Sequence, residues 1–269
     1  MESHSGKEII LNKAATEFIV LGCRAGSPGE GAAASGYLIR SNGKTILLDC
    51  GPGIVLELTQ RGLADPLDAV IITHAHADHC ADLVALAYHR LFPVARAPLP
   101  LWSTSSVGHM LKALDEVFGI PTLPALANPL SHAFDFRPIT PGGTFCAADL
   151  TVEAMATAHP TPTFAVRFPE LGLVYTADGA LTDALVTFAQ SAALLVAECT
   201  YLTADSYDLN GHGHMSAAQV GQLASRAGAR RLLLTHFATC AEAQRSAQIV
   251  AEHFAGEVET AQPGMCMNL

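Results

Sequence analysis

Short runs of apolar and β-branched residues alternate along the chain with longer stretches whose apolar positions return every three or four residues, the two periods of strand and helix. The runs predict strands over Phe18–Leu21, Ser35–Arg40, Thr45–Asp49, Ala69–Thr73, Thr151–Thr157, Phe164–Phe168, Leu173–Thr176, Leu194–Ala197 and Arg231–Thr235. The helical stretches are Ile54–Arg61, His79–Leu91, Ser106–Phe118, Thr182–Gln190, Ser216–Ala227 and Ala241–Phe254. Ser216 has the character of an N-cap and Gly228 that of a stop. The Pro-rich segments Pro93–Pro100 and Pro121–Pro138 read as surface excursions. Strands in two β-rich stretches, with helices that must cover them, give an α/β class with sheets packed between helical layers.

Composition narrows this picture. Of the 269 residues 50% are hydrophobic and 15% charged, which excludes disorder for most of the chain. One large α/β domain or two small ones fit this length, and no linker separates two, so a single domain over residues 1–269 is expected. The net charge of −10 argues against a protein that grips nucleic acid mainly by its phosphates. Lys7, Glu8, Lys13 and Glu17 interrupt the N-terminal apolar residues, so no export signal is expected there, and runs such as Ala192–Ala197 are too short to span a membrane. The seven cysteines are scattered without CxxC spacing, as in a reduced, cytoplasmic protein, and most are expected in the core.

The chemistry concentrates in one segment. Ala69-Val-Ile-Ile-Thr-His74-Ala-His76-Ala-Asp78-His79 places three imidazoles and a carboxylate directly after an apolar strand. Such donors suit Zn²⁺, Mn²⁺ or Fe²⁺, and the absence of thiolates argues against a closed structural zinc site. Further donors follow other strands: His159, Asp178 and His236. In open α/β architectures functional side chains gather where strands end.

Asp49 of LLDCG, then HAHADH, then His159, Asp178 and His236, in that order, resemble the metallo-β-lactamase fold superfamily over nearly the whole chain. The resemblance implies a four-layer αββα sandwich with two divalent metal ions at one edge between the sheets. One ion would take His74, His76 and His159, the second Asp78, His79 and His236, and Asp178 would bridge them. Zinc is the metal expected, with manganese or iron as alternatives. His at position 76, where flavodiiron oxidoreductases carry Glu, points to hydrolysis rather than redox chemistry.

The branch is narrowed by Ala197-Glu198-Cys199-Thr200, Gly213-His214-Met215-Ser216, LLLTHF and the opening loop Leu21-Gly-Cys-Arg-Ala-Gly-Ser-Pro, which resemble ribonuclease Z motifs. The chain is therefore similar to the short bacterial metal-dependent hydrolases of that branch. Two departures stand out. The stretch Pro28-Gly-Glu-Gly-Ala-Ala lacks the Lys and Arg of the ribonuclease Z loop, and the eighteen residues between His159 and Asp178 leave no room for its tRNA-gripping arm.

These features together imply a phosphodiesterase in which a hydroxide between two metals attacks phosphorus. Asp78, His214 and Glu198 form its catalytic set: His214 protonates the leaving oxygen, Glu198 orients it, and His212 is the alternative donor. Asp49 is read as a carboxylate that fixes a ligand histidine, or else as a strand-end cap. The substrate expected is a small molecule or short phosphodiester, with extended tRNA binding and a membrane disfavoured, and the resemblance implies a homodimer. The alternatives are a lactone, thioester or sulfate ester hydrolase, a tRNA 3′-processing endonuclease, and a non-catalytic binding member. Tyr201, Phe237 and Phe92 are pocket-lining candidates, whereas His4, His89, His109, His132 and His253 lie off the ligand pattern.

Overall fold

A computed structural model describes residues 16–204 and 208–269, so His4 lies outside the described residues. The strands run β1 (Glu17–Arg24), β2 (Ala33–Ala34), β3 (Gly36–Ser41), β4 (Lys44–Leu48), β5 (Ala69–Ile72), β6 (Leu99–Ser103), β7 (Phe134–Pro138) and β8 (Thr144–Ala147). They continue with β9 (Leu150–Ala156), β10 (Phe164–Phe168), β11 (Leu173–Tyr175), β12 (Leu194–Glu198), β13 (Arg231–Thr235), β14 (Glu257–Thr260) and β15 (Cys266–Asn268). The helices are α1 (Ile54–Gln60), α2 (Ala77–Cys80), α3 (Leu83–Leu91), α4 (Ser105–Phe118), α5 (Pro129–Ala133), α6 (Asp183–Phe188), α7 (Leu209–His212), α8 (Ala217–Ala227) and α9 (Ala243–Ala251).

Two sheets result. One has the order β15-β1-β3-β4-β5-β6-β7, with β2 beside β1, and the other β14-β13-β12-β11-β10-β9-β8. Their central strands are apolar on both faces, as expected of strands covered on both sides. Alternation along each strand sends one set of side chains to the facing sheet and the other to helices. Phe18, Val20 and Ile39 from the first sheet meet Phe164, Val166 and Val196 from the second in one buried cluster. Ile19, Leu38 and Val70 face the other way, onto Leu58 of α1, Leu86 of α3 and Leu111 of α4. Val174, Leu195 and Leu232 likewise pack on Leu185 of α6, Val220 of α8 and Val250 of α9. The layers are thus αββα, the fold expected from the motifs.

Strand direction, more than layer count, positions the site. β4 and β5 are parallel in register Leu48↔Ile71, and β11, β12 and β13 are parallel in registers Tyr175↔Val196 and Glu198↔Thr235. β9 is antiparallel to β10, which is antiparallel to β11, so β9 runs the same way as β11. The carboxyl ends of these strands therefore share one edge. At that edge Asp49, Ala177 and His236 adopt φ of 59°, 50° and 56°, left-handed values that cost a non-glycine residue about 1–2 kcal/mol each.

The local caps follow the sequence. Ser216 and Gln219 form a capping box, the Thr182 side chain accepts a hydrogen bond from Leu185 N–H, and Gly228 ends α8 in the left-handed conformation. Three expectations change. The helix expected over His79–Leu91 is two helices, because Asp82 N–H donates to the Cys50 carbonyl at 3.0 Å and turns the chain between α2 and α3. Pro93–Pro100 is not wholly a surface excursion: its end enters β6, where Leu99 and Leu101 are buried. Pro121–Pro138 holds α5 and β7, with Leu130 and Phe134 buried. Prolines there occupy helix starts and strand positions that tolerate a missing donor.

Four of the seven cysteines, Cys23, Cys50, Cys80 and Cys199, are buried, while Cys146 and Cys266 are exposed. No described helix is long and apolar enough to cross a membrane.

The exit of β4 is locked to the segment that comes after β5. Cys50 N–H donates to His79 O at 2.7 Å and Ser35 N–H to Asp78 O at 3.1 Å. Gly51 lies so close that a Cβ would overlap the Asp78 carbonyl oxygen. Gly51→Ala is therefore expected to lower stability by about 1–3 kcal/mol in urea unfolding of the metal-free protein. Unchanged stability would show that this close approach carries no constraint.

Candidate metal centre

β5 delivers the donor-rich segment to the shared edge. Thr73 N–H donates to Asp49 Oδ1 at 2.8 Å, His74 and His76 come next in the turn, and α2 presents Asp78 and His79 in its first turn. β9 leads to His159, β11 to Asp178, β12 to Glu198 and β13 to His236. All seven ligand candidates named from the sequence come together. His74, His76, His159 and Asp178 form one group and Asp78, His79 and His236 another, with the donor atoms in each within 4.8 Å of one another.

Asp178 lies between the two groups. Its Oδ2 is 3.5 Å from His74 Nε2 and 3.3 Å from His79 Nε2, while its Oδ1 is 3.5 Å from His236 Nε2. Asp78 Oδ2 lies 3.3 Å from His236 Nε2 and accepts from Gly26 N–H at 2.6 Å.

Each imidazole uses one nitrogen on an outer partner and turns the other inward. The Thr73 hydroxyl donates to Asp49, so His74 Nδ1–H donates to Thr73 Oγ1 at 3.0 Å. His79 Nδ1–H donates to Asp49 Oδ2 at 2.8 Å, and His159 Nδ1–H to Gly213 O at 2.9 Å. The Thr200 hydroxyl donates to Glu198 Oε2, so His236 Nδ1–H donates to Thr200 Oγ1 at 2.9 Å. His76 pairs through Nε2 with Thr161 Oγ1 at 2.9 Å. Outer partners of this kind set the tautomer of metal-binding histidines.

The inner atoms fit cations better than they fit each other. His79 Nε2 and His236 Nε2 face one another at 3.2 Å, as do His159 Nε2 and His76 Nδ1. His74 Nε2 and Asp178 Oδ1 are buried with no hydrogen-bond partner, a state that costs polar groups about 1–3 kcal/mol each. Burial lowers the pKa of His74, His76 and His159, keeping their lone pairs free of protons. Burial also opposes charge on His79, but the Asp178 and Asp49 carboxylates outweigh it and lift the imidazole well above its usual range. Burial would raise the Asp178 carboxyl, yet His236 and His79 hold it well below the usual range. Imidazoles held neutral at His74, His76 and His159, an ionised Asp178 and the orphaned inner atoms suit divalent transition metals, and a cation there would displace the proton that the carboxylates favour on His79.

A cleft of about 500 Å³ opens beside the cluster, lined by His76, Asp78, Asp178, His214 and His236 among others. His214 is buried against Glu198: Nδ1–H donates to Oε1 at 3.0 Å, and Glu198 also accepts from Gly179 N–H, Met215 N–H and the Thr200 hydroxyl. Burial opposes charge on His214, but Glu198 raises its pKa above the usual value. His212 lines the same cleft from the exposed end of α7.

The pocket-lining expectations divide. Tyr201 lines the cleft, Phe237 is buried in the helix-covered core at 1% exposure, and Phe92 stands 61% exposed away from the lining. His89 is half-buried, and His109, His132 and His253 are exposed, all off the cluster.

The outer residues Thr73, Thr161 and Tyr175 escape sequence reasoning. Thr73 carries a signal, since it is the last residue before the first ligand candidate, but nothing along the chain points Tyr175 O–H at Asp49, 3.0 Å away.

Comparison with known proteins gives matches over most of the chain. The model of the β-lactamase superfamily domain matches residues 44–237. The probable metallo-hydrolase YhfI of Bacillus subtilis (strain 168) is 33% identical over 254 residues, covering 91% of this chain and 96% of its own. Its crystal structure superposes with a TM-score of 0.82 at 28% identity, covering 95% of this chain and 100% of that one. The ribonuclease Z of Thermobifida fusca (strain YX) is 27% identical over 296 residues, 93% of each chain. The short form of human tRNase Z shares the fold, with a TM-score of 0.73 at 22% identity over 93% of this chain and 98% of its own.

Asp49 accepts from Thr73, His79 and Tyr175 while wholly buried. Asp49→Asn removes the charge behind His79 and is expected to weaken metal affinity by about 10–100-fold in chelator competition, with the circular dichroism spectrum retained. Unaltered affinity would reduce Asp49 to a strand-end cap.

Proposed function

The chain belongs to the β-lactamase superfamily, in the ribonuclease Z-like branch of its metallo-hydrolases, and from that footing we propose that it is a dinuclear metal-dependent phosphodiesterase. The observation that carries the reading is the arrangement around Asp178: two groups of inward-facing donors on either side of one carboxylate, opening on a cleft that also receives His214. His74, His76 and His159 would hold one ion, Asp78, His79 and His236 the other, and Asp178 both. When bound, a pair of divalent ions supplies a nucleophile from water at neutral pH and stabilises charge on the attacking and leaving oxygens. The all-imidazole and carboxylate donor set favours zinc.

The chain's own residues do the rest. Glu198 favours the protonated form of His214 and aims it, so that His214 would donate a proton to the leaving oxygen. His214 is chosen over His212 because a buried carboxylate stands behind it, whereas His212 lies exposed at the end of α7. Glu198 also accepts from Gly179 N–H, which ties the proton donor to the loop carrying Asp178. Asp78, through its bond from Gly26 N–H, holds the opening loop against the cluster.

A small or short diester is favoured over an extended tRNA. The segment from His159 to Asp178 is taken up by β10 and β11 inside the sheet, and the cleft volume is that of a small-molecule site. The working unit is read as one domain over residues 1–269, pairing as a homodimer in the cytoplasm. The lactone, thioester and sulfate ester readings share the same donors and are separated by turnover.

Protein loaded with Zn²⁺ or Mn²⁺ should hydrolyse bis(p-nitrophenyl) phosphate and leave a lactone and a thioester untouched; the opposite pattern would replace the diester by another ester. His214→Ala should lower kcat by about 10²-fold or more on diesters with alkoxide leaving groups and little on p-nitrophenyl diesters, whose leaving group hardly needs a proton. Equal losses on both would take the proton-donor role from His214. Asp178→Ala should reduce metal content by elemental analysis together with activity, and full occupancy in the variant would remove Asp178 from the bridge.

A further inference from the structure

Among the described residues that line the cleft, Arg24 at the end of β1 is the one Lys or Arg. Its side chain is 13% exposed, and Nη1 donates to the Ala238 carbonyl at 2.6 Å and to Glu30 Oε2 at 3.2 Å. Both bonds leave from a single nitrogen. Nε is buried with no hydrogen-bond partner. A guanidinium has five donors in a planar fork suited to carboxylate and phosphate. The tie to Glu30 and Ala238 uses only one end of that fork and leaves Nη2 without a partner among the described residues.

Position links Arg24 to the ligands. Two residues later Gly26 N–H donates to Asp78, and Arg24 pairs with Phe237, the residue after His236. Glu30, in the stretch Pro28–Ala33, pairs with Arg24. The cleft's positive side chain thus comes from the opening loop, on the wall that carries both Asp78 and His236.

We propose that Arg24 determines specificity by binding a second anionic group of the substrate, a carboxylate or terminal phosphate on the part of a small phosphodiester that is not the leaving group. This rests on the phosphodiesterase reading. Ala238, Glu30 and the opening loop hold the guanidinium in the wall by Nη1, Nε is enclosed, and the anion takes Nη2, which makes no hydrogen bond among the described residues and is not enclosed.

The test compares three p-nitrophenyl phosphodiesters with one leaving group and different second esters: propyl, 2-carboxyethyl and 2-phosphonoethyl. With metal-loaded wild type, kcat/KM for at least one charged diester should exceed that for the propyl diester about tenfold or more, mostly through KM. The better of the carboxylate and phosphonate arms identifies the anion. In Arg24→Gln that ratio should fall to near one, and in Glu30→Gln, which keeps the guanidinium, it should persist. No charge preference in wild type, or a ratio unchanged in Arg24→Gln, overturns the proposal, as does its loss in Glu30→Gln to the same extent. If no diester turns over, the phosphodiesterase reading fails, and calorimetric binding of the propyl and 2-carboxyethyl monoesters of p-nitrobenzylphosphonate decides Arg24 separately. A tenfold lower Kd for the carboxylate form, lost in Arg24→Gln, keeps the anion site; equal or absent binding removes it.

Discussion

One buried carboxylate joins the two halves of this molecule. Asp49 leaves β4 of the first sheet and accepts hydrogen bonds from Thr73 at the end of β5, from His79 of α2, and from Tyr175 of β11 in the second sheet. An ionised group with no exposure is tolerated only when its oxygens are filled by donors. Those donors fix the distance between the sheet edges and the orientation of His79 together. The left-handed backbone at Asp49, Ala177 and His236 belongs to the same edge, where strained residues persist because the surrounding bonds over-determine them.

From that edge inward, the centre consists of groups that do not satisfy one another. Imidazole nitrogens oppose imidazole nitrogens, and a carboxylate oxygen and a ring nitrogen are buried without partners. A protein interior does not gather such atoms for stability, because each unpaired one opposes folding. The outer hydroxyls of Thr73, Thr161 and Thr200 are the complement of this pattern: each engages the far nitrogen of a histidine so that the near one stays available. Glu198 extends the same arrangement to His214 and to Gly179, so His214 and the loop carrying Asp178 share one anchor.

Much of the fold and of the candidate ligand cluster is legible in the sequence, because both rest on local signals. The β10 and β13 strands fall where apolar runs place them, and HAHADH announces its chemistry within six residues. β6 and β7 are harder to see, since prolines in and around them mimic loop composition while their burial depends on neighbours distant in the chain. The break between α2 and α3 depends on a backbone bond from Asp82 to Cys50, which periodicity cannot register. Likewise Tyr175 and Arg24 acquire meaning only when the opening loop, β11 and β13 meet at the cleft edge. Phe92 is the converse case: an aromatic residue near the histidine-rich segment in sequence, yet exposed and not among the residues lining the cleft.

If these seven side chains hold a pair of cations, anomalous diffraction at the zinc absorption edge from crystals of the zinc-loaded protein shows it most directly. Two anomalous peaks about 3.5–4 Å apart are expected, one among His74, His76 and His159, the other among Asp78, His79 and His236, with Asp178 touching both. A single peak, or peaks elsewhere while this cluster stays empty, would contradict the paired site.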